Sequence, residues 1–225
     1  MPSSVVHIGF ALLVAVGLLG AYYDRRAILV VIAIVLFPEA DTLMGWVMDG
    51  AHRTVLHNMV FTAVAAAALY WDTVYREESW IRGRFDDYGV RVVWVGLFAH
   101  TFAHLALDWA HLDGINFLWP LHDRFFRLEG ELYLSTVEGF VQTFVAIAQD
   151  PETGERAVDA GRGGTAQETH VSNPAQPSRD PEPGPVDRRF PIAVQGWQLY
   201  LIVVGLFAVA AKQLQSPAPT ETDDE

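Results

Sequence analysis

Apolar residues occur in long blocks along the chain, separated by charged or Pro/Gly-rich stretches. Such blocks are typical of membrane-crossing segments, because about 20 apolar residues in a helix span the hydrocarbon core of a bilayer. The blocks predict helices at residues 5–23, 27–37, 55–71, 89–110 and 194–211. We therefore expect an all-α, polytopic helical membrane protein with four to six transmembrane helices.

Two blocks leave the number of spans open. Residues 27–37 would reach only about 17 Å as a helix, so this segment must continue past Pro38 or stop partway through the membrane. Residues 132–148 are interrupted by Glu138 and Gln142. This block could lie at the membrane interface or cross the bilayer as an interior helix of the bundle.

The remaining segments complete the predicted domain organisation. Residues 1–148 form a membrane-embedded domain, and residues 190–212 form a C-terminal transmembrane helix. Between them, residues 149–189 are rich in Pro, Gly and charged residues with little to bury, which predicts a disordered linker. Residues 213–225 form a polar, acidic tail.

Composition narrows the possible chemistry. The chain has no cysteine, which excludes disulfides, iron–sulfur clusters and thiolate metal sites, so any metal must be held by His, Asp or Glu. The net charge of -12 argues against a nucleic-acid surface, since binding to phosphate backbones relies on clustered Lys and Arg. Lys212 is the only lysine, and with the acidic excess this indicates a salt-adapted, haloarchaeal source.

Arginines predict the orientation in the plasma membrane, because positively charged loops stay on the cytoplasmic side. Loops predicted to be cytoplasmic hold Arg25, Arg26, Arg76, Arg82, Arg84 and Arg91, against Arg53, Arg124 and Arg127 on the other side. We expect the N-terminus and the loops at 38–54 and 109–130 to face outward.

A stripe of ionisable residues lies on the fourth predicted helix. His100, His104 and Asp108 follow one another at intervals of four, so on an α-helix they span only about 80° of its circumference. His111 continues the stripe if the helix runs that far. Two imidazoles and a carboxylate form a donor set that Zn²⁺ and similar divalent ions accept. The alternative is that each side chain only makes hydrogen bonds between helices.

Two further carboxylates lie near membrane depth. Glu39 and Asp41 follow Pro38, which removes a backbone donor and tends to break a helix, so a broken segment could present both side chains inward. Ordinary solvation at the level of the lipid headgroups is the alternative.

Two more histidines precede the third predicted helix. His52 and His57 would point about 140° apart on one continuous helix, so both reach one site only if the helix begins between them. Thr54 is a possible N-cap that would place His52 on the preceding loop. Arg53 could clamp a phosphate or carboxylate group, or anchor the chain at the interface.

The order of these elements resembles a known family, the YdjM-type (LexA-regulated) membrane-bound metal-dependent hydrolases. The resemblance covers residues 5–120, and its elements are His7, Pro38-Glu39-Ala40-Asp41, His52-Arg53-Thr54-Val55-Leu56-His57, His104-Leu105-Ala106-Leu107-Asp108, and Gly114 through Trp119-Pro120. The sequence departs from the family pattern at Glu39, Leu56, Asn58 and His111.

The residues and the resemblance together predict one or two divalent ions, with zinc the first choice, at a site where these side chains converge: His7, Glu39, Asp41, His52, His57, His100, His104 and Asp108. Asp41 or Glu39 could serve as general base if it is not a ligand, and Arg53 would steady the developing negative charge. A lipid-like or phosphoester substrate is expected because the site lies near the headgroup region. The family is in turn similar to the zinc-dependent phospholipase C and P1-nuclease group, which implies phosphoester cleavage on a helical scaffold. A haem-binding membrane cytochrome and a non-catalytic metal-binding protein or transporter remain alternatives.

Overall fold

A computed structural model describes residues 2–48, 50–111, 113–149, 156–159, 161, 163–169, 171 and 190–215. Its helices are α1 (Ser4–Leu18), α2 (Arg25–Leu36), α3 (Asp41–Met44), α4 (Met59–Tyr70), α5 (Trp80–Ala99), α6 (Ala106–Trp109) and α7 (Gly196–Leu214). The 3₁₀ turn Phe37–Ala40 joins α2 to α3, and the π turn His100–Leu105 joins α5 to α6. A second π turn, Trp71–Tyr75, extends α4.

The prediction of a polytopic helical membrane protein is confirmed. Among the described residues, three helical runs are long and apolar enough to cross a membrane: Arg25–Met44, Trp80–Trp109 and Gly196–Leu214. Ser4–Leu18 and Met59–Tyr75 are shorter apolar helices. The second predicted span thus continues past Pro38, because the 3₁₀ turn accommodates the proline at its start.

Polar side chains set the beginnings of α1, α2, α4 and α5. Ser3, Asp24, Asn58 and Ser79 each accept a hydrogen bond from a backbone N–H in the first turn of α1, α2, α4 and α5, respectively. These caps satisfy N–H groups that have no partner within the helix. Each helix therefore begins where the sequence supplies an N-cap residue.

Small and β-branched residues of α1, α2 and α5 form the main core. Its centre includes Ala11, Ala15, Val31, Val35 and Val95, all of them buried. Small side chains let the helix backbones approach closely, which suits a bundle surrounded by lipid. The core lies between the two ends of the bundle, and the polar residues singled out above lie beyond it at one end.

Different residues and helix ends meet at the two ends of the bundle. At one end, Arg91 donates a hydrogen bond to the Leu18 carbonyl and Tyr88 donates to Asp24. The other end brings together the start of α1, the start of α3, the start of α4, and α6. Which end faces outward stays a prediction.

Residues 132–148 do not cross the bundle as a helix. Strand β1 (Leu132–Ser135) pairs with β2 (Gly139–Gln142) in an antiparallel hairpin, and β3 (Ala146–Gln149) pairs with β4 (Arg156–Asp159). Gly139 has a φ of 74°, a left-handed conformation that ends a helix and suits a turn. The interpretation of this block as a crossing or interfacial helix is wrong.

Part of the predicted linker is also ordered. Within residues 149–189, strand β4 pairs with β3, and the backbone N–H of Phe125 donates to the Gly164 carbonyl at 2.9 Å. Ala166 is buried against Phe125 and Val171. A few apolar side chains thus dock these residues, and the disordered linker as a whole stays a prediction. Residues 172–189 of the linker and 216–225 of the acidic tail lie outside the described part of the chain.

The contact between α7 and α1 depends on two glycines. A Cβ at Gly205 would lie 2.1 Å from the Gly9 carbonyl oxygen, and a Cβ at Gly9 would lie 2.7 Å from Ile202 Cα. We expect Gly205→Leu to separate the helices and destabilise the protein by about 2 kcal/mol, as overpacking does. Thermal unfolding in detergent measures this. Gly17→Leu, with open space around its Cβ, is the control, and an equal effect in both variants would contradict this packing.

Candidate metal centre

Two groups of buried histidine and aspartate side chains lie at one end of the bundle. His7, His104 and Asp108 form the first group, and Asp41, His52 and His57 form the second. Within each group, one candidate ligand atom from every residue lies within 4.8 Å of the others. All six side chains are buried, so the sequence elements that looked separate meet in the protein interior.

His57 links the second group to the first. Its Nε2 lies 2.9 Å from His104 Nε2 and 3.4 Å from Asp108 Oδ2. Asp108 also lies 3.6 Å from the Nε2 atoms of both His7 and His104. The ligands of a tetrahedral ion, each about 2.0–2.2 Å away from it, are separated by roughly 3.3–3.6 Å. Most of these distances already match that spacing, and the His57–His104 distance is shorter.

Four separate elements supply these atoms. His7 lies in the first turn of α1, His57 in the loop before α4, His104 in the π turn and Asp108 in α6. A π turn is wider than an α-turn and is frequent at functional sites. The π turn sets the angle around the helix axis between His100 and the other residues of the stripe, His104 and Asp108.

Hydrogen bonds on the far side of two rings fix which nitrogen faces the centre. The Nδ1–H of His7 donates to the Ala103 carbonyl at 2.8 Å, and the Nδ1–H of His57 donates to Asp41 Oδ2 at 2.7 Å. Each Nε2 therefore keeps its lone pair. Within the described part of the chain, His7 Nε2 has no hydrogen-bond partner. Histidines that bind metals are held by outer hydrogen bonds of this kind.

The Arg53 guanidinium is bound to Asp108 and does not point into open space. One guanidinium nitrogen donates to Asp108 Oδ1 at 2.6 Å and another to the Gly114 carbonyl at 3.2 Å. Its φ of 60° places a non-glycine residue in the left-handed region, which costs about 1 kcal/mol or more and persists only where the surroundings impose it. The fully buried side chain thus orients Asp108, and its role as a substrate clamp stays a prediction.

Asp41 is similarly occupied on both oxygens. Oδ1 accepts from His52 Nδ1–H at 2.9 Å, while Oδ2 accepts from His57 Nδ1–H. Asp41 therefore orients two imidazoles, and its role as a general base stays a prediction. His52 Nε2 is buried without a hydrogen-bond partner among the described residues.

The loop before α4 explains how two histidines five residues apart share one carboxylate. Helix α4 begins at Met59, after both His52 and His57, and its N-cap is Asn58. The interpretation of Thr54 as the N-cap is therefore wrong. Because residues 52–57 are not helical, the 140° separation expected on a helix does not apply, and the loop wraps around Asp41.

The structure does not bring His100 to the centre. Its Nε2 lies 3.1 Å from Thr62 Oγ1. This contact joins His100 to α4, and His100 belongs to neither group of candidate ligands. Helix α6 ends at Trp109, and His111 therefore lies beyond the helical stripe. The stripe interpretation holds for His104 and Asp108.

Glu39 lies at the edge of the centre. Its side chain is partly exposed and accepts a hydrogen bond from Ser4 Oγ at 3.3 Å. It belongs to neither group of candidate ligands, although it is close enough to His7 for their charges to interact. A carboxylate with this freedom can exchange protons with water.

Charged side chains of both signs are buried at the centre. Asp41 and Asp108 carry two negative charges, and Arg53 supplies one positive charge, all in buried positions. A buried charge without compensation is costly, so it is paired or binds an ion. The surrounding imidazoles offer ring nitrogens as further ligands. The centre therefore suits a bound divalent cation.

Comparison with known proteins assigns the chain to one protein family. No curated protein matched the chain, and no solved structure matched it. A profile of the YdjM inner membrane protein family matches residues 1–167, which include every residue of both His/Asp groups. With more than half of its length matched and membrane helices present, the chain belongs to the YdjM inner membrane protein family.

Proposed function

We propose that this protein is a membrane-bound, metal-dependent hydrolase acting on a phosphoester or lipid-like substrate. The observation that carries the proposal is the convergence of three imidazole Nε2 atoms with the Asp108 carboxylate. His7, His57 and His104 are the imidazole ligands in this proposal, and Asp108 is the oxygen ligand.

The donor set supports zinc as the ion. Three imidazole nitrogens and one carboxylate oxygen are ligands that zinc accepts, and the chain has no thiolate to compete. A divalent ion in such a site supplies Lewis-acid chemistry, lowering the pKa of water and polarising a phosphoester oxygen. Asp41 and Arg53 act by positioning His57 and Asp108.

Glu39 is the general base in this proposal. It accepts a proton from the attacking water as the new bond between the water oxygen and phosphorus forms. The bond between phosphorus and the ester oxygen breaks, and the departing alcohol oxygen takes up a proton. Glu39 is suited to this role because its carboxylate is partly exposed, whereas both oxygens of Asp41 are occupied.

An apolar groove supports a lipid-like substrate. It has a volume of about 380 Å³, and Ile34, Phe37, Phe61 and Leu97 contribute to its walls. His100, one turn before His104, also lines it. Since Phe37 and Phe61 are exposed on membrane helices, hydrocarbon chains of the bilayer have direct access to this groove.

Two other functions are to be compared with a hydrolase: a haem-binding cytochrome, which requires a different ligand geometry, and a non-catalytic metal-binding protein or transporter, which lacks turnover. Two axial histidines of a haem lie on opposite faces of a flat macrocycle, whereas the His7 and His104 rings are stacked with centroids 4.0 Å apart. This stacking disfavours a cytochrome. A non-catalytic metal-binding protein or transporter would share the same ligands, so turnover must distinguish it from a hydrolase.

Zinc-dependent turnover by the purified full-length protein tests the proposal. We expect hydrolysis of bis(p-nitrophenyl) phosphate or of phospholipid in mixed micelles, lost on chelation and restored by zinc. Glu39→Gln should lower the rate by about 100-fold or more while keeping the metal, as for a lost general base. Glu138→Gln, an exposed carboxylate of the β1–β2 hairpin, is the control. Metal binding without turnover on either substrate would contradict the hydrolase proposal.

A further inference from the structure

A second cavity lies beside the candidate metal centre. Its volume is about 460 Å³, and it lies between α1, the end of α6 and the start of α7. Phe10, one turn after His7, and Leu107, next to Asp108, form the side nearest the centre. Leu201 and Trp197 form the wall contributed by α7. Helices α1 and α6 therefore each contribute residues to both the cavity and the metal centre.

His111 is the polar group of this cavity whose hydrogen bonds are unsatisfied. It lines the cavity with only 6 % of its surface exposed. Neither ring nitrogen has a hydrogen-bond partner within the described residues. A neutral imidazole offers one hydrogen-bond donor and one acceptor. A buried polar group without a partner is costly, and a ligand in the cavity would satisfy it.

The rest of the lining is unsuited to a charged ligand. The described residues that line the cavity carry no Lys, Arg, Asp or Glu, and Gln195 already accepts a hydrogen bond from Trp197 Nε1–H. A phosphate would lose its hydration there without gaining a counter-charge. An uncharged group with an apolar body and a hydrogen-bonding oxygen matches the apolar walls and His111.

The α7 wall lies outside the part of the chain that matches the family. The family profile ends at residue 167, whereas α7 spans Gly196–Leu214. The metal centre is built entirely from residues within the matched region. The cavity therefore combines the family region with a helix that the family profile does not include, which makes it suited to selecting the substrate.

We propose that this cavity binds the uncharged alcohol part of the substrate, with His111 as its polar contact and α7 as the wall that selects it. The proposal rests on the hydrolase function proposed above, because that alcohol is one product of phosphoester cleavage. In this arrangement the phosphate stays at the metal centre, and the alcohol part extends past Leu107 towards Trp197.

Binding of a short neutral product mimic tests the cavity without requiring turnover. The probe is 1-butyrylglycerol, titrated calorimetrically into the zinc-loaded full-length protein in nanodiscs. We expect saturable binding to the wild type. Leu201→Trp, which fills the cavity, should weaken binding by at least about tenfold, and His111→Phe, which removes one hydrogen bond, should weaken it by about three- to tenfold. Both variants should keep the wild-type metal content.

Leu206→Trp is the matched control, since it adds the same bulk on α7 at an exposed position. Unchanged binding in this variant supports the cavity assignment. Absence of saturable binding to the wild type, or equal effects of Leu201→Trp and Leu206→Trp, would overturn it. Binding that follows the expected pattern in a protein without phosphoesterase activity would reject the hydrolase proposal and leave the cavity as a site for neutral amphiphiles.

Discussion

His104→Ala and Asp108→Asn are each expected to remove bound metal and catalytic activity together, with the protein still inserting and purifying in similar yield. Loss of one of four ligands should weaken metal binding by at least about 100-fold, beyond the effect of losing an outer-shell partner. Elemental analysis of purified, zinc-equilibrated protein measures the occupancy. If the two side chains only join helices, the same changes lower stability by about 1 kcal/mol and leave metal content unchanged.

Two matched controls separate the ligand role from general damage. His100→Ala removes a buried imidazole one turn away on the same helical run, where the ring contacts Thr62 instead of the centre. Asp72→Asn neutralises another buried carboxylate, which accepts hydrogen bonds from Ser79 and the backbone of Trp80. Both controls should retain metal. Wild-type occupancy in His104→Ala and Asp108→Asn would refute the assignment.

Asp41→Asn should produce a weaker and graded defect. An asparagine can accept from only one of the two imidazoles, and its NH₂ group would face the Nδ1–H of the other. His57 or His52 then loses its orientation. We expect metal affinity to fall by about 10–100-fold, as for other outer-shell partners. A zinc titration distinguishes the two roles of Asp41, since occupancy should recover at high zinc.

The comparison variant for this titration is Asp108→Asn. If Asp41 were itself a ligand, its variant would resemble Asp108→Asn and would not recover at the same zinc concentration. Unchanged affinity in Asp41→Asn would show that the hydrogen bonds to His52 and His57 do not support the centre.

Much of the centre could be predicted from the sequence because ionisable residues are costly in apolar helices. His104 and Asp108 share a helix face at a four-residue spacing, which a periodic pattern reveals directly. The order of motifs that resembles the family added His7, Asp41 and His57. For these residues, the prediction that they lie together agrees with the structure.

The predictions differ from the structure where contacts between residues far apart in the sequence determine the local conformation. The π turn at His100–Leu105 cannot be read from the spacing of its residues, and it accompanies the placement of His100 against Thr62. The loop that turns around Asp41 depends on contacts between residues 11 and 16 positions apart. Outer partners such as the Ala103 carbonyl are backbone groups, which carry no sequence signal.

The hairpin at 132–142 differs from its predicted helix for another reason. Its apolar residues resemble a short membrane helix, but Gly139 adopts a left-handed turn and the strands pair locally. Short apolar runs do not distinguish helix from strand by periodicity alone. The packing of linker residues against Phe125 is a tertiary contact, which the local sequence pattern does not show.

The ligand set is tested most directly by X-ray absorption spectroscopy of the zinc-loaded full-length protein at the zinc edge. The account predicts a first shell of nitrogen and oxygen atoms at about 2.0–2.2 Å, with outer-shell scattering from three imidazole rings. His57→Ala should reduce that scattering to two rings. A first shell with one imidazole or none, or a spectrum that His57→Ala leaves unchanged, would contradict a centre built from His7, His57, His104 and Asp108.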